Sequence, residues 1–165
     1  MPVTKRIYLD TSIFIKENYL EGSRLKEIFR LGAEGHLEII ISVITINEIK
    51  SNFKRNARAA IEKHNQLMND PSLRLLRNIP AQQTKLEKFP NLKTITQEFD
   101  TLLENELSKA KATIIGYPTI DIGPVFEKYF ASQFPFNKGD KKHEFPDAFA
   151  VLTLEEWCKE HRKRC

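Results

Sequence analysis

The run LEIIISVIT, residues 37–45, constrains this chain more than any other stretch. Its apolar side chains follow one another with little polar alternation, and most are β-branched. Such a segment reads as a strand covered on both faces. A second run, Ile7, Tyr8 and Leu9, has the same character and predicts a short buried strand over residues 6–10. Between them, Ser23 to Ala33 carries Leu25, Ile28, Phe29 and Leu31 at near-helical spacing, with Gly32 and Gly35 punctuating its end. Two buried strands joined through a helix imply parallel pairing and an α/β architecture.

The remaining chain is richer in helix. Thr45 to Asn69 predicts a long helix, broken by NDPSLRLLRNIPAQQ with Pro71 and Pro80. Ile95 to Ala112 carries an apolar stripe of Phe99, Leu102, Leu103 and Leu107, and TIIGYPTIDIGP reads as a loop with one short extended piece. Val125 to Phe134 predicts a further helix. The charged loop PFNKGDKKHEFP, residues 135–146, leads into a last helix over Pro146 to Arg162. At 165 residues the expectation is a single domain, 1–165.

A net charge of +4 permits an anionic partner without demanding one. No window is long enough to span a membrane, and the N-terminus lacks a signal-peptide layout. Cys158 and Cys165, on one predicted helix, are poorly placed to bridge, which predicts reduced thiols and a cytoplasmic location.

Three acids stand where elements change. Asp10 follows the first strand, Glu48 lies in the expected first turn of the helix after the second, and Asp147 opens the last helix behind Pro146. Ligands of open parallel sheets bind at the carboxyl ends of the strands, so these positions can share one edge. Clustered carboxylates repel unless a cation lies between them, and Mg²⁺ or Mn²⁺ is the natural occupant. Each acid also has a plain structural reading: Asp10 as a cap, Glu48 and Asp147 as helix-dipole partners. Thr11 or Ser12 is expected to cap the turn after the first strand.

The segments IYLDTSIFI, ISVITINEIKS and EFPDAFAVLTLEEW resemble, in order, the successive acidic motifs of PIN-domain ribonucleases, in a PIN-like branch with an EFPDA-type signature. The resemblance implies a three-layer α/β/α sandwich with a short parallel sheet and metal-dependent hydrolysis of RNA. By position it assigns Asp10, Glu48 and Asp147 as catalytic, metal-binding acids, with Thr11 or Ser12 supplying the hydroxyl that supports the first. PIN domains also carry a fourth acid after a later strand, whereas this chain stops at KEHRKRC. Two clear strands make a poor sheet. The expectation is therefore an N-terminal portion, or a subunit whose sheet another chain completes; the alternative is a third strand near Ile114.

Lys138, Lys141 and Lys142 precede Asp147 and are candidates for substrate phosphates, alongside Thr11 and Ser12. Lys50, Lys54, Arg55 and Arg58 could extend an RNA track. Asp140 and Glu144 are possible extra ligands, with solvent the expected place for both. Cys158 and His161 lack the second pair that a zinc site needs. No Walker A or GxGxxG motif occurs, and Ser12 stands where an aspartyl phosphatase would need a second Asp. Two functions follow: a Mg²⁺- or Mn²⁺-dependent endoribonuclease using metal-activated water, or a PIN-like module that binds RNA or a protein partner without cutting.

Overall fold

β1 (Lys5–Tyr8) and β2 (Leu37–Ser42) pair in parallel, with Ile7 opposite Ile39 and Tyr8 opposite Ile40. The computed structural model describes residues 5–80, 89–117, 122–136 and 144–161. A third strand, β3 (Thr113–Ile115), pairs in parallel with β2, Ile41 opposite Ile114, so the sheet order is β1-β2-β3. The extended piece near Ile114 is thus a strand, the third of the sheet among the described residues.

Two helices connect β1 to β2. α1 (Thr11–Lys16) buries Phe14, and α2 (Ser23–Ala33) buries Leu25 and Phe29. Gly32 lies in the last turn of α2, one residue before its end. A Cβ there would stand 2.6 Å from both the Ala110 carbonyl oxygen and Ile39 Cδ1, so glycine lets the helix approach its neighbours closely. Gly35 does terminate the helix. Its φ of +79° permits a Schellman closure, His36 N donating to Leu31 O at 2.9 Å and Gly35 N to Gly32 O at 3.0 Å.

β2 ends earlier than its β-branched run. Ser42 caps α3 (Val43–Asn69) by accepting from Thr45 N at 3.0 Å, so Val43, Ile44 and Thr45 are helical. Asp70 then caps a four-residue α4 (Pro71–Arg74), and a 3₁₀ turn follows over Leu75–Asn78. After α5 (Leu92–Lys109) and β3 come α6 (Gly123–Ala131) and α7 (Phe145–Glu160).

The chain forms two compact units, one of Met1–Ile49 with Asn105–Cys165, the other of Lys50–Glu104. In the first, Ile39, Ile40 and Ile41 are wholly buried in the central strand. α7 buries two faces: Leu154, Trp157 and Cys158 pack on Ile40 and Ile115, while Phe145, Ala148 and Phe149 pack with Val125 and Phe136. In the second unit, Phe53 stacks on Phe99 with ring centroids 3.7 Å apart, and Lys50 Nζ donates to Glu104 Oε1 at 2.8 Å.

Cys158 is disulfide-bonded, against the expectation of reduced thiols. The helix carrying it ends at Glu160, and Cys165 lies outside the described residues. No helix among the described residues is long and apolar enough to cross a membrane.

Candidate active site

β1 delivers the first acid. Its ladder runs one residue beyond the strand, where Leu9 N donates to Ile40 O at 2.9 Å, and Asp10 follows at once. Leu9 is buried and Asp10 exposed. With extended backbone (φ −93°, ψ 159°), Asp10 is the N-cap of α1, its Oδ2 accepting from Ser12 N at 3.0 Å. The cap expected at Thr11 or Ser12 therefore belongs to the acid itself, because Thr11 is already the first helical residue. Capping engages one carboxylate oxygen, and Ser12 is exposed beside it.

Glu48 stands in the second turn of α3, since the helix begins at Val43. That is one turn later than expected, and the helix dipole fades beyond the first turn. The half-buried Glu48 is held by a neighbour instead: the Thr11 hydroxyl donates to its Oε2 at 2.6 Å. Thr11 is only 5% exposed. The hydroxyl next to the first acid thus grips the second.

A hydroxyl triangle joins the end of β1 to the start of α3. The Tyr8 hydroxyl lies 2.8 Å from Thr45 Oγ1 and 3.0 Å from Ser42 Oγ, and those two oxygens are 3.0 Å apart. Ser42 and Thr45 are buried, so these mutual bonds satisfy groups that water does not reach. Locking Tyr8 to Thr45 fixes β1 and α3, the elements that carry Asp10 and Glu48.

Asp147 is the third residue of α7, behind Phe145 and Pro146. The residue is exposed overall, yet its carboxyl is partly desolvated and its pKa is raised. Burial is the largest cause, followed by the negative charges of Glu48, Asp10 and Glu144 and a hydrogen bond with Glu144. Asp147 therefore lies within electrostatic reach of both other acids. Glu144, expected in solvent, is half-buried and is the fourth acid of this neighbourhood. Its signal in the sequence is the N-cap-to-N3 spacing that lets the two side chains of a helix start meet.

All four acids offer hard oxygen donors, which suit Mg²⁺ or Mn²⁺ and not a soft metal. Among the described residues no three His, Cys, Asp or Glu side chains already stand at ligating spacing. Mutually repelling carboxylates keep apart when nothing positive lies between them. The donor chemistry fits a hard cation.

A family model described as the PIN domain matches residues 7–165. The chain belongs to the PIN domain family. No curated protein and no solved structure matches it. PIN domains are nuclease-type folds that usually work with divalent metals such as Mg²⁺. In this PIN domain the helix-rich α/β architecture and the short parallel sheet are those of the family.

The basic candidates fare unevenly. Lys138, Lys141 and Lys142 lie outside the described residues, as do His143 and Asp140. Lys50 is engaged within the second unit, by Glu104 at 2.8 Å and Asp100 at 3.9 Å. Lys54, Arg55 and Arg58 are exposed on α3, with Arg55 bonded to Asn52.

Proposed function

We propose that this PIN domain is a metal-dependent endoribonuclease whose site is built from Asp10, Glu48 and Asp147. The observation that carries the reading is the raised pKa of Asp147, caused after burial by the charges of Glu48 and Asp10. Acids drawn from three separate elements into one electrostatic neighbourhood destabilise an empty site and favour a cation. Membership of a nuclease family supports the same reading.

A bound Mg²⁺ or Mn²⁺ supplies Lewis acidity and a water deprotonated near neutral pH. The chain's own residues supply position. The Ser12 N–H holds one oxygen of Asp10, and the Thr11 hydroxyl holds one oxygen of Glu48. Each grip restricts a carboxylate while leaving its second oxygen to be used. Asp147 retains a proton to higher pH than an ordinary aspartate, which moderates repulsion before substrate and ion arrive. A site of acids that holds a metal needs no protein nucleophile, so hydrolysis by water is the reaction that suits it.

A second reading, a PIN domain that binds RNA or protein without cutting, draws on the lack of a preformed ligand group among the described residues. Cleavage of a labelled single-stranded RNA with Mn²⁺, with EDTA, and with the Asp10→Asn and Asp147→Asn variants separates the two. The nuclease reading expects Mn²⁺-dependent cleavage that EDTA and both substitutions abolish. RNA binding with no cleavage under any divalent ion overturns it.

A further inference from the structure

Away from the acids, a cleft of about 280 Å³ opens beside β3. Its lining includes the consecutive strand residues Ile114 and Ile115. Neighbouring residues of a strand point to opposite faces of a sheet, so a cleft bordered by both runs along the strand's hydrogen-bonding edge. β3 is the terminal strand of the order β1-β2-β3, and among the described residues no strand pairs on its other side. Ile114 is 53% exposed, and among the described residues Gly116 has no heavy atom within 4 Å of where a Cβ would be, which leaves room for backbone to approach.

The far wall of the cleft is acidic. Glu156 and Glu160 line it from successive turns of α7, four residues apart on one face of the helix, with Trp157 beside them. Neither glutamate forms an ion pair with a described residue. An unprotected strand edge takes an extended polypeptide, because it presents unpaired N–H and C=O groups at the spacing of another strand. Two carboxylates one helical turn apart select a cationic side chain on that polypeptide, Arg above Lys because its planar fork can bond both; the indole of Trp157, buried and stacked on His161, is the floor beside them and not the platform. The same charges repel a nucleic-acid backbone.

We infer that the edge of β3 and the Glu156–Trp157–Glu160 wall form a docking site for an extended, basic segment of a partner polypeptide, an arginine of which lies between the two glutamates. This site is separate from the acids of the proposed nuclease centre and stands whether or not that centre cleaves RNA.

Trp157 is the one tryptophan of the chain and so reports on the cleft alone. The probe is the peptide acetyl-Thr-Val-Arg-Val-Thr-amide, with its Glu-for-Arg counterpart as control, titrated into the full chain. Tryptophan emission and the backbone amide shifts of Ile114 to Gly116 are followed together. The expected result is saturable change in both signals with the arginine peptide, none with the glutamate peptide, and about tenfold weaker binding in Glu160→Gln. Glu160 is exposed, so that variant should keep the parent's melting temperature. Equal response to both peptides, absence of saturation, or unchanged affinity in Glu160→Gln overturns the proposal. Shifts that grow with protein concentration before peptide is added would assign the edge to a second copy of this chain and overturn it equally.

Discussion

The Thr11 hydroxyl donates to Glu48 Oε2 across 2.6 Å, joining the first residue of α1 to the second turn of α3. Because Thr11 is buried, this bond holds the second acid from a site adjacent in sequence to the first. Thr11→Val preserves volume and removes the donor. It should cost about 1 kcal/mol of stability, the worth of a hydrogen bond to a partly accessible acceptor. Metal-dependent cleavage should fall more steeply, by about tenfold, as Glu48 loses its orientation. Thr11→Ser should restore activity. Urea melts and single-turnover cleavage measure the two effects; full activity in Thr11→Val would remove Thr11 from any positioning role.

Asp10 has an observed role as a cap and a proposed one as a metal ligand, and substitution can separate them. As an N-cap it is replaceable by Asn, which caps equally well, whereas Ala forfeits about 1 kcal/mol. As a metal ligand it is replaceable by neither. Asp10→Asn should melt at or above the parent in EDTA, bind Mn²⁺ at least tenfold more weakly, and lose cleavage. Asp10→Ala should show the same metal defect and also melt lower. Mn²⁺ titration calorimetry with thermal melts decides it. Parent-like Mn²⁺ affinity in Asp10→Asn would reduce Asp10 to a cap.

Much of this arrangement was legible in the sequence because burial leaves unbroken apolar runs. β1, β2 and α2 stood out from Ile7 to Leu9, Ile39 to Ile41 and the Leu25–Phe29 stripe, and Asp10 was conspicuous as the acid that ends such a run. Where the reading slipped, a local rule overrode composition. The β-branched Val43, Ile44 and Thr45 suggested continuing strand, but the Ser42 cap started α3 and moved Glu48 into the second turn. β3 has three residues, too few to show a period, and was visible only as one extended possibility near Ile114. Glu144 was visible as a possible extra ligand but ranked below solvent, because a charge run ordinarily faces water, whereas its place before α7 brings it to Asp147.

Gly32 offers a test of packing apart from the acids. Alanine favours a helix interior over glycine by about 1 kcal/mol. Here the added methyl would stand 2.6 Å from the Ala110 carbonyl oxygen, which is backbone and cannot swing aside as a side chain could. Gly32→Ala should therefore destabilise the fold by about 1–3 kcal/mol in urea unfolding. Cleavage by the folded fraction should be unchanged. A more stable Gly32→Ala protein would show that helix propensity outweighs the close approach.

Asp147 connects the charge of the site to pH. Its folded-state pKa is raised, so the folded protein holds this proton more tightly than the unfolded chain does. The resulting contribution to stability is fully present below the unfolded pKa and is lost as pH rises through the folded value. In EDTA the parent should thus lose melting temperature across that rise, and Asp147→Asn, which has no charge to repel Glu48 and Asp10, should lose less. At neutral pH without metal the variant should melt at or above the parent. Mn²⁺ should reverse the order, because an ion bound only by the folded state adds about 2.7 kcal/mol at one hundred times its dissociation constant. The parent gains this in full and the variant gains less. Melts from about pH 4 to 8, with EDTA and with Mn²⁺, measure both signs. An Asp147→Asn protein that melts well below the parent in EDTA would mean that the carboxylate supports the fold instead of opposing it, and would remove the electrostatic argument for a cation at this site.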